Sequence, residues 1–391
     1  MPNPVKVLHV TTSLSRNGGI EETLRVLCKR LQGYEFQFAI CSVLGSSKSV
    51  LDDFRDTDIP LFFGKYRGSV IDIRTTMWVR KVAKEFGANI IHTHNNKGNY
   101  HGRLAAKLAG NIPSVTTHHD MGDIRFSKTF QADKRPQGKF DDQGQELHDW
   151  IATFVWPFLN VNMDCLNSRV ICVSNAVRNI HTPDPNDERF KIVYAPYDET
   201  IFNAPRQVTE KETITIGTVG RLVPQKGYPY LLEAFKELRT SVEHIRLRIT
   251  GEGLFRPHLE ELIRKNNLEE KVTLCGEHPH DAALYDGIDI YVQPSVSEGC
   301  SITLLEAMGM GLPVVASDLD GPREIVLNNE TGVLVPPKDS SALSDAILGL
   351  IRNPVRAAKL GKAAQERARR EFSSEAFAAR MADIYREVIL K

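Results

Sequence analysis

Short runs of aliphatic and β-branched residues alternate along the chain with stretches whose apolar positions recur every three to four residues. In the first half the runs fall at residues 5–10, 36–43, 89–93, 114–118 and 169–173. Amphipathic stretches lie between them at 21–31, 75–86 and 100–109. In the first of these Leu24, Leu27, Cys28 and Leu31 line one side, and Arg25, Lys29 and Arg30 the other. Such alternation predicts parallel sheets covered by helices. Residues 121–150 break the rhythm, being polar, charged and poor in β-branched residues. A loop that long inside a compact domain is a lid, a binding loop or disordered.

Residues 181–213 are rich in proline and charge around one apolar strand at 190–194. They place the interdomain linker near residue 205. The pattern then restarts, with strands expected at 213–219, 246–250, 272–275, 288–293, 313–317 and 332–335. Helices are expected at 228–238, 255–266, 282–285, 301–308, 340–353 and 354–370. The reading is two Rossmann-like α/β/α domains in tandem, 1–205 and 206–372, with a last helix over about 373–391. Open α/β sheets bind ligands outside the carboxyl ends of their strands, so two facing sheets would form one deep cleft.

Composition narrows the function. The 391 residues fit two domains. Apolar residues at 41% and charged residues at 25% are those of a soluble globular protein. The 49 basic and 49 acidic residues cancel and form no basic domain, which argues against a nucleic-acid partner. No apolar run approaches about 18 residues, and the first 15 residues lack the pattern of a secretion signal. Six scattered cysteines without metal-ligand spacing read as reduced thiols of a cytoplasmic protein.

Three glycine-containing turns carry the candidate chemistry. Ser297-Glu298-Gly299-Cys300-Ser301-Ile302 joins a strand to a helix. Gly299 admits a close ligand, and the amides of Cys300, Ser301 and Ile302 would form an anion site at the helix N-terminus. Glu298 in the loop and Glu306 along the helix bracket that site. Two carboxylates flanking a phosphate site suit a nucleotide sugar, whose diols can bond both. Gly220-Arg221-Leu222-Val223-Pro224-Gln225-Lys226-Gly227 follows another strand, and its fork-shaped Arg221 and point-charge Lys226 suit a diphosphate. Asn17-Gly18-Gly19 lies after the first strand, where backbone amides could reach a phosphate. The dinucleotide fingerprint of dehydrogenases is missing. His92 and His94 end one strand; His118 and His119, followed by Asp120, end another. Alternation sends His118 and His119 to opposite faces. His119 is expected to hydrogen-bond substrate. No third ligand stands at metal-site spacing, so no metal is expected. Asp318-Leu319-Asp320 reads as a loop.

These residues together resemble the retaining glycosyltransferases of family 4, which have the GT-B fold. The resemblance also rests on Val173-Ser174, Gly251-Glu252-Gly253, Gly311-Leu312-Pro313-Val314-Val315-Ala316 and Thr331-Gly332-Val333-Leu334-Val335-Pro336. It implies that the first domain binds the acceptor and the second a nucleotide diphosphate sugar, UDP-linked by preference and GDP-linked otherwise. It implies that Arg221 and Lys226 stabilise the leaving diphosphate in place of a metal, without any cofactor. Glu306 would bind ribose and Glu298 the donor sugar, helped by Gly299 and Cys300. Gly18 and Gly19 would approach the diphosphate, Gly253, Glu277 and His278 would lie near the base, and His119 near the reacting carbon. Acceptor contacts are expected from His94, Asn95, Tyr100, His101 and Asp120. The final helix is expected to cross back onto the first domain. Alternatives in other classes are a nucleotide-sugar epimerase and a non-catalytic nucleotide-sugar binder. The acceptor would be a glycan, a lipid-linked glycan or a small molecule, and a lipid-linked one would draw the enzyme to the inner membrane face. Two departures stand out. Tyr194-Ala195-Pro196-Tyr197-Asp198 keeps only the aspartate of the family's linker motif, and Asp320-Gly321-Pro322 replaces a glycine pair.

Overall fold

The computed structural model describes residues 3–14, 19–33, 35–44, 54, 58–64, 72–119, 163–182, 184–202 and 212–390. Gly18, Asp120 and the expected loop 121–150 lie outside the described residues. Packing divides the chain into two units, Met1–Tyr194 with Ala378–Lys391, and Ala195–Phe377.

The first unit is built on seven strands: β1 Val5–Thr11, β2 Phe36–Ser42, β3 Leu61–Phe63, β4 Ile90–His94, β5 Ser114–His118, β6 Arg169–Cys172 and β7 Phe190–Ile192. They pair in parallel in the order β3-β2-β1-β4-β5-β6-β7. The second unit has six: β8 Ile214–Val219, β9 Ile245–Thr250, β10 Val272–Gly276, β11 Ile290–Gln293, β12 Val314–Ser317 and β13 Val333–Val335. Their order is β10-β9-β8-β11-β12-β13, again all parallel. In each sheet the winding direction reverses once, at β1/β4 and at β8/β11. Connections leave such a point in opposite directions, which opens a crevice at the strand ends.

The strands read as near-continuous buried runs because helices cover both faces. In the second unit Leu231, Leu232, Phe235 and Leu238 of helix Tyr228–Ser241 pack into a core with Ile216, Leu247, Ile249 and Val292. The first unit differs. Its central strands bury His9, His92, His94, Thr93, Thr116, Thr117 and His118 beside their aliphatic residues. Register explains how they meet. His9 lies opposite His92, and His94 opposite Thr117. Parallel neighbours share a face, so His9, His92, His94 and Thr117 form one polar layer, and Thr93, Thr116 and His118 alternate onto the other face.

Tyr385 of the last helix, Ser374–Ile389, closes that layer. It is fully buried against Phe36 and Phe38, and its hydroxyl lies 2.7 Å from His92 Nδ1. Thr117 Oγ1 lies 2.7 Å from the other His92 nitrogen. Arg386 pairs with Glu35 at 2.6 Å and Arg169 with Glu387 at 2.9 Å.

The units meet at Tyr194/Ala195 rather than near residue 205, because the following residues are packed. Tyr197 is fully buried and its amide donates to the Phe372 carbonyl, while the Asp198 carboxylate accepts from the Thr200 amide at 3.0 Å. Ser374 likewise donates to Glu199 at 2.7 Å, which keeps the start of the last helix in the second unit. Helix Asn96–Leu108 begins four residues earlier than its periodicity suggests, since its buried face carries Gly98, Asn99, His101, Gly102 and Arg103. Residues 320–325, expected as part of a loop, form a short helix instead, with Pro322 tolerated in its first turn. No helix among the described residues is long and apolar enough to cross a membrane.

Replacing Tyr385 by Phe strands His92 Nδ1 in a dry core. The expected loss is about 1–3 kcal/mol, measured as a lowered midpoint of urea unfolding with the spectrum of the folded state retained. An unchanged midpoint contradicts the role assigned to this bond.

Candidate active site

The second unit gathers the candidate residues at its switch point. The loop after β8 carries Arg221 and Lys226, and the loop after β11 carries Glu298. Lys226 Nζ lies 2.6 Å from Glu298 Oε2, and both side chains are largely buried. The same oxygen accepts from Gln293 Nε2 at 2.9 Å and Ser295 Oγ at 3.2 Å. Backbone geometry brings the loops this close. Gly227 has φ +68°, and a Cβ there would overlap the Pro294 carbonyl oxygen. Arg221 is exposed, and no hydrogen bond or ion pair engages its guanidinium among the described residues. The site therefore offers one free fork of donors and one ammonium already matched by a carboxylate.

Helix Ile302–Gly309 starts at this crevice. Ser301 caps it through a 3.4 Å bond from the Leu304 amide, and Tyr291 of β11 donates to Thr303 Oγ1 at 3.0 Å. Gly299 is buried, and Cys300 and Ile302 are partly exposed at the helix start. Burial pushes the Cys300 thiol up to about 12, so it stays protonated and inert. The Asp320-Gly321-Pro322 departure keeps the essential small residue, since a side chain at 321 would meet the carbonyl oxygens of Glu298 and Gly299. Asp318 and Asp320 pair with Arg323 at 2.8 and 3.3 Å.

Glu306 sits deeper than its pattern suggests. Its carboxylate is completely buried, accepting from Tyr285 OH at 2.6 Å and lying 2.7 Å from His280 Nε2. Neither partner is marked by sequence spacing, since Tyr285 and His280 lie 21 and 26 residues before Glu306. Glu277 and His278 are exposed, and Gly253 packs against the Leu222 backbone.

In the first unit Gly19 opens helix Gly19–Leu31 and is exposed. His118 and His119 diverge as alternation requires. His118 lies 3.1 Å from Asp164, which also accepts from Arg103 at 2.8 Å and lies 3.1 Å from His181. Burial would raise the Asp164 pKa, but bonds from His118 and His181 and the Arg103 charge hold it well below the usual carboxylate range. His119 turns the other way and lies 3.0 Å from His94, which in turn lies 3.0 Å from His9. Asn95 follows at φ +54°, outside the usual range of a side-chain-bearing residue, with its carboxamide accepting from Thr11 Oγ1 at 3.2 Å.

Two of the residues expected at the acceptor lie buried. His94 is buried with both nitrogens engaged, and His101 is 2% exposed with its ring bonded to Thr76 of the adjoining helix. Asn95 and Tyr100 keep partial exposure. Elements remote in sequence also supply the third members that spacing did not show. His9, His92 and His94 form one group, and His118, Asp164 and His181 another. In the first group His92 bonds Tyr385 and Thr117 and His94 bonds His9 and His119; in the second Asp164 bonds Arg103, His118 and His181.

Two sequence families match in tandem, "Glycosyltransferase Family 4" over residues 17–200 and "Glycosyl transferases group 1" over residues 200–367. The chain belongs to the family 4 glycosyltransferases. It is 26% identical to the UDP-Gal:alpha-D-GlcNAc-diphosphoundecaprenol alpha-1,3-galactosyltransferase of Escherichia coli over 76% of either chain. It is 32% identical to the alpha-D-kanosaminyltransferase of Streptomyces kanamyceticus, where the match spans 44% of this chain and 45% of that enzyme. Anabaena HepE, solved in complex with UDP and glucose, shares its fold at a TM-score of 0.80, with 20% identity over 97% of this chain and 99% of HepE. The fold of this glycosyltransferase is thus GT-B.

Burial lowers the pKa of six rings in the glycosyltransferase's first unit. His9 and His119 fall to about 3, His101 and His118 to about 4, and His92 and His94 well below the ordinary value. An unfolded histidine titrates near about 6.5. Below that pH the unfolded chain binds more protons than the folded one, so stability falls as pH falls. Each ring contributes up to about 1.4 kcal/mol per pH unit. The urea midpoint is expected to drop steadily from pH 7 to pH 5, whereas a midpoint flat over that window contradicts neutral, buried rings.

Proposed function

We propose that this glycosyltransferase moves a hexose or N-acetylhexosamine from a nucleoside diphosphate sugar to an acceptor hydroxyl, with retention at the anomeric carbon and without a metal ion. The observation that carries the reading is the cationic pair Arg221 and Lys226 at the β8/β11 switch point, next in the fold to the N-terminus of helix Ile302–Gly309. Two fixed cations and a set of helix amides are what a departing diphosphate requires. The UDP of the HepE complex and the UDP-Gal in the E. coli relative's name favour uridine in the donor.

In this reading the Lys226–Glu298 pair is a placeholder. A bound diphosphate gives Lys226 a stronger anion, and Glu298 is released to accept from the sugar's hydroxyls. Arg221 neutralises the charge that builds on the leaving oxygen as the C1–O bond lengthens. The acceptor oxygen then bonds to C1 from the face the diphosphate leaves, and its proton passes to the departing phosphate oxygen. Glu306 is held by Tyr285 and His280, and His280, whose side chain is 22% exposed, is the partner that ribose hydroxyls would displace. In this reading the first unit takes the acceptor, with Asn95 after β4 and Tyr100 on the helix that follows it, and His119 serves the reacting sugar. That acceptor is a glycan, a lipid-linked glycan or a small molecule, and a lipid-linked one would hold the enzyme at the inner membrane face.

Replacing Arg221 by Ala leaves an exposed site with nothing to repack. Turnover with the matching donor is expected to fall about 10²–10³-fold, with the thermal midpoint unchanged. NMR of the product is expected to show the donor's anomeric configuration. Wild-type turnover in the variant contradicts the site assignment, and an inverted product contradicts retention.

A further inference from the structure

The strands of the first unit build a chain of three imidazoles, of which the transfer chemistry above uses only His119. His9 on β1, His94 on β4 and His119 at the end of β5 share one sheet face. His9 Nδ1 lies 3.0 Å from His94 Nε2, and His94 Nδ1 lies 3.0 Å from His119 Nε2. His9 is completely buried, stacked among Phe38, His92 and His94. Its outer nitrogen, Nε2, has no hydrogen-bond partner among the described residues.

Each nitrogen-to-nitrogen bond needs one N–H and one lone pair. Three neutral rings in series therefore allow two patterns only. In one, every ring carries its proton on Nδ1, the bonds run outward from His9 to His119, and His119 Nδ1–H is left as a donor. In the other, every proton sits on Nε2, and His9 buries an N–H with no partner. Orphaned buried N–H groups are among the rarest features of native structures, because their desolvation goes uncompensated. The dry end of the chain thus selects the first pattern. Burial keeps all three rings neutral near pH 7. The adjoining ionisable groups are His92 and Tyr385, bonded to each other, and His118, bonded to Asp164 on the opposite face.

We infer that His9 and His94 are positioning residues that hold His119 as its Nδ1–H tautomer, so that it presents a neutral hydrogen-bond donor to an oxygen of the bound sugar. The direction of donation is thereby set by a buried residue two strands away. The tautomer stands on the geometry of this unit, whereas its use in transfer rests on the proposed function.

The test is a long-range ¹H–¹⁵N spectrum of the full chain labelled at histidine, with His119 assigned by the signals lost in His119→Asn. The expected wild-type pattern is a protonated Nδ1 and an unprotonated Nε2. An isolated histidine favours Nε2–H, so His94→Leu is expected to return His119 to that form. His94→Gln, whose amide can donate to Nε2, is expected to preserve Nδ1–H. With the donor-sugar KM unchanged, kcat is expected to fall about tenfold in His94→Leu, the worth of one hydrogen bond, and to recover in His94→Gln. A wild-type Nε2–H signal overturns the inference without any variant, and so does an unchanged tautomer in folded His94→Leu. A tautomer that switches with no change in kcat overturns the placement of His119 at the sugar and leaves the relay standing.

Discussion

The contact between Lys226 and Glu298 sets what the second unit can do. A lysine ammonium partly withdrawn from water needs a counter-charge, and here the counter-charge comes from the loop after the neighbouring strand. The pair ties together the two loops that leave the switch point in opposite directions. It depends on Gly227, which lets one loop backbone run under the other, and on Gln293 and Ser295, which fix the carboxylate. In the proposed reading an anion takes the place of Glu298 on Lys226, and Arg221 swings in from solvent to join it.

The first unit rests on a different constraint. Its central strands bury hydroxyls and imidazoles where an ordinary parallel sheet buries aliphatic side chains. Such a layer is tolerable only if its groups are satisfied. Tyr385 and Thr117 satisfy His92, Asp164 gathers Arg103, His118 and His181, and among the described histidines of the layer His9 Nε2 is left as a loose end. Polar networks of this kind specify one arrangement of rings. The last helix belongs to that network through Tyr385, which is a structural reason for the chain to return to its first unit.

Much of this architecture was legible because it is written locally. Twelve of the thirteen strands among the described residues, all but the three-residue β3, and most helices follow from the spacing of apolar residues, and the glycine turns before Arg221 and Glu298 mark strand-to-helix junctions. What stayed hidden is non-local or polar. Arg103 and Asp164 are 61 residues apart, and His9 and His94 are 85 apart, so no spacing rule joins them. The first turn of helix Asn96–Leu108 was missed because its inward face is glycine, asparagine, histidine and arginine, which periodicity counts as outward. Residues 195–202 were taken for linker on composition, yet Tyr197 and Phe202 are core residues. Glu306 was correctly placed on its helix, while its partners Tyr285 and His280 arrive from a separate turn.

The central claim is that fixed cations at the β8/β11 switch point bind the donor diphosphate without a metal. A thermal-shift panel of UDP- and GDP-linked sugars, with and without EDTA, tests it most directly, since a ligand that binds only the folded chain raises its midpoint. The account predicts a rise with a uridine-linked donor that EDTA leaves intact and that Lys226→Ala abolishes. A rise that EDTA removes, or one that survives Lys226→Ala in full, would contradict it.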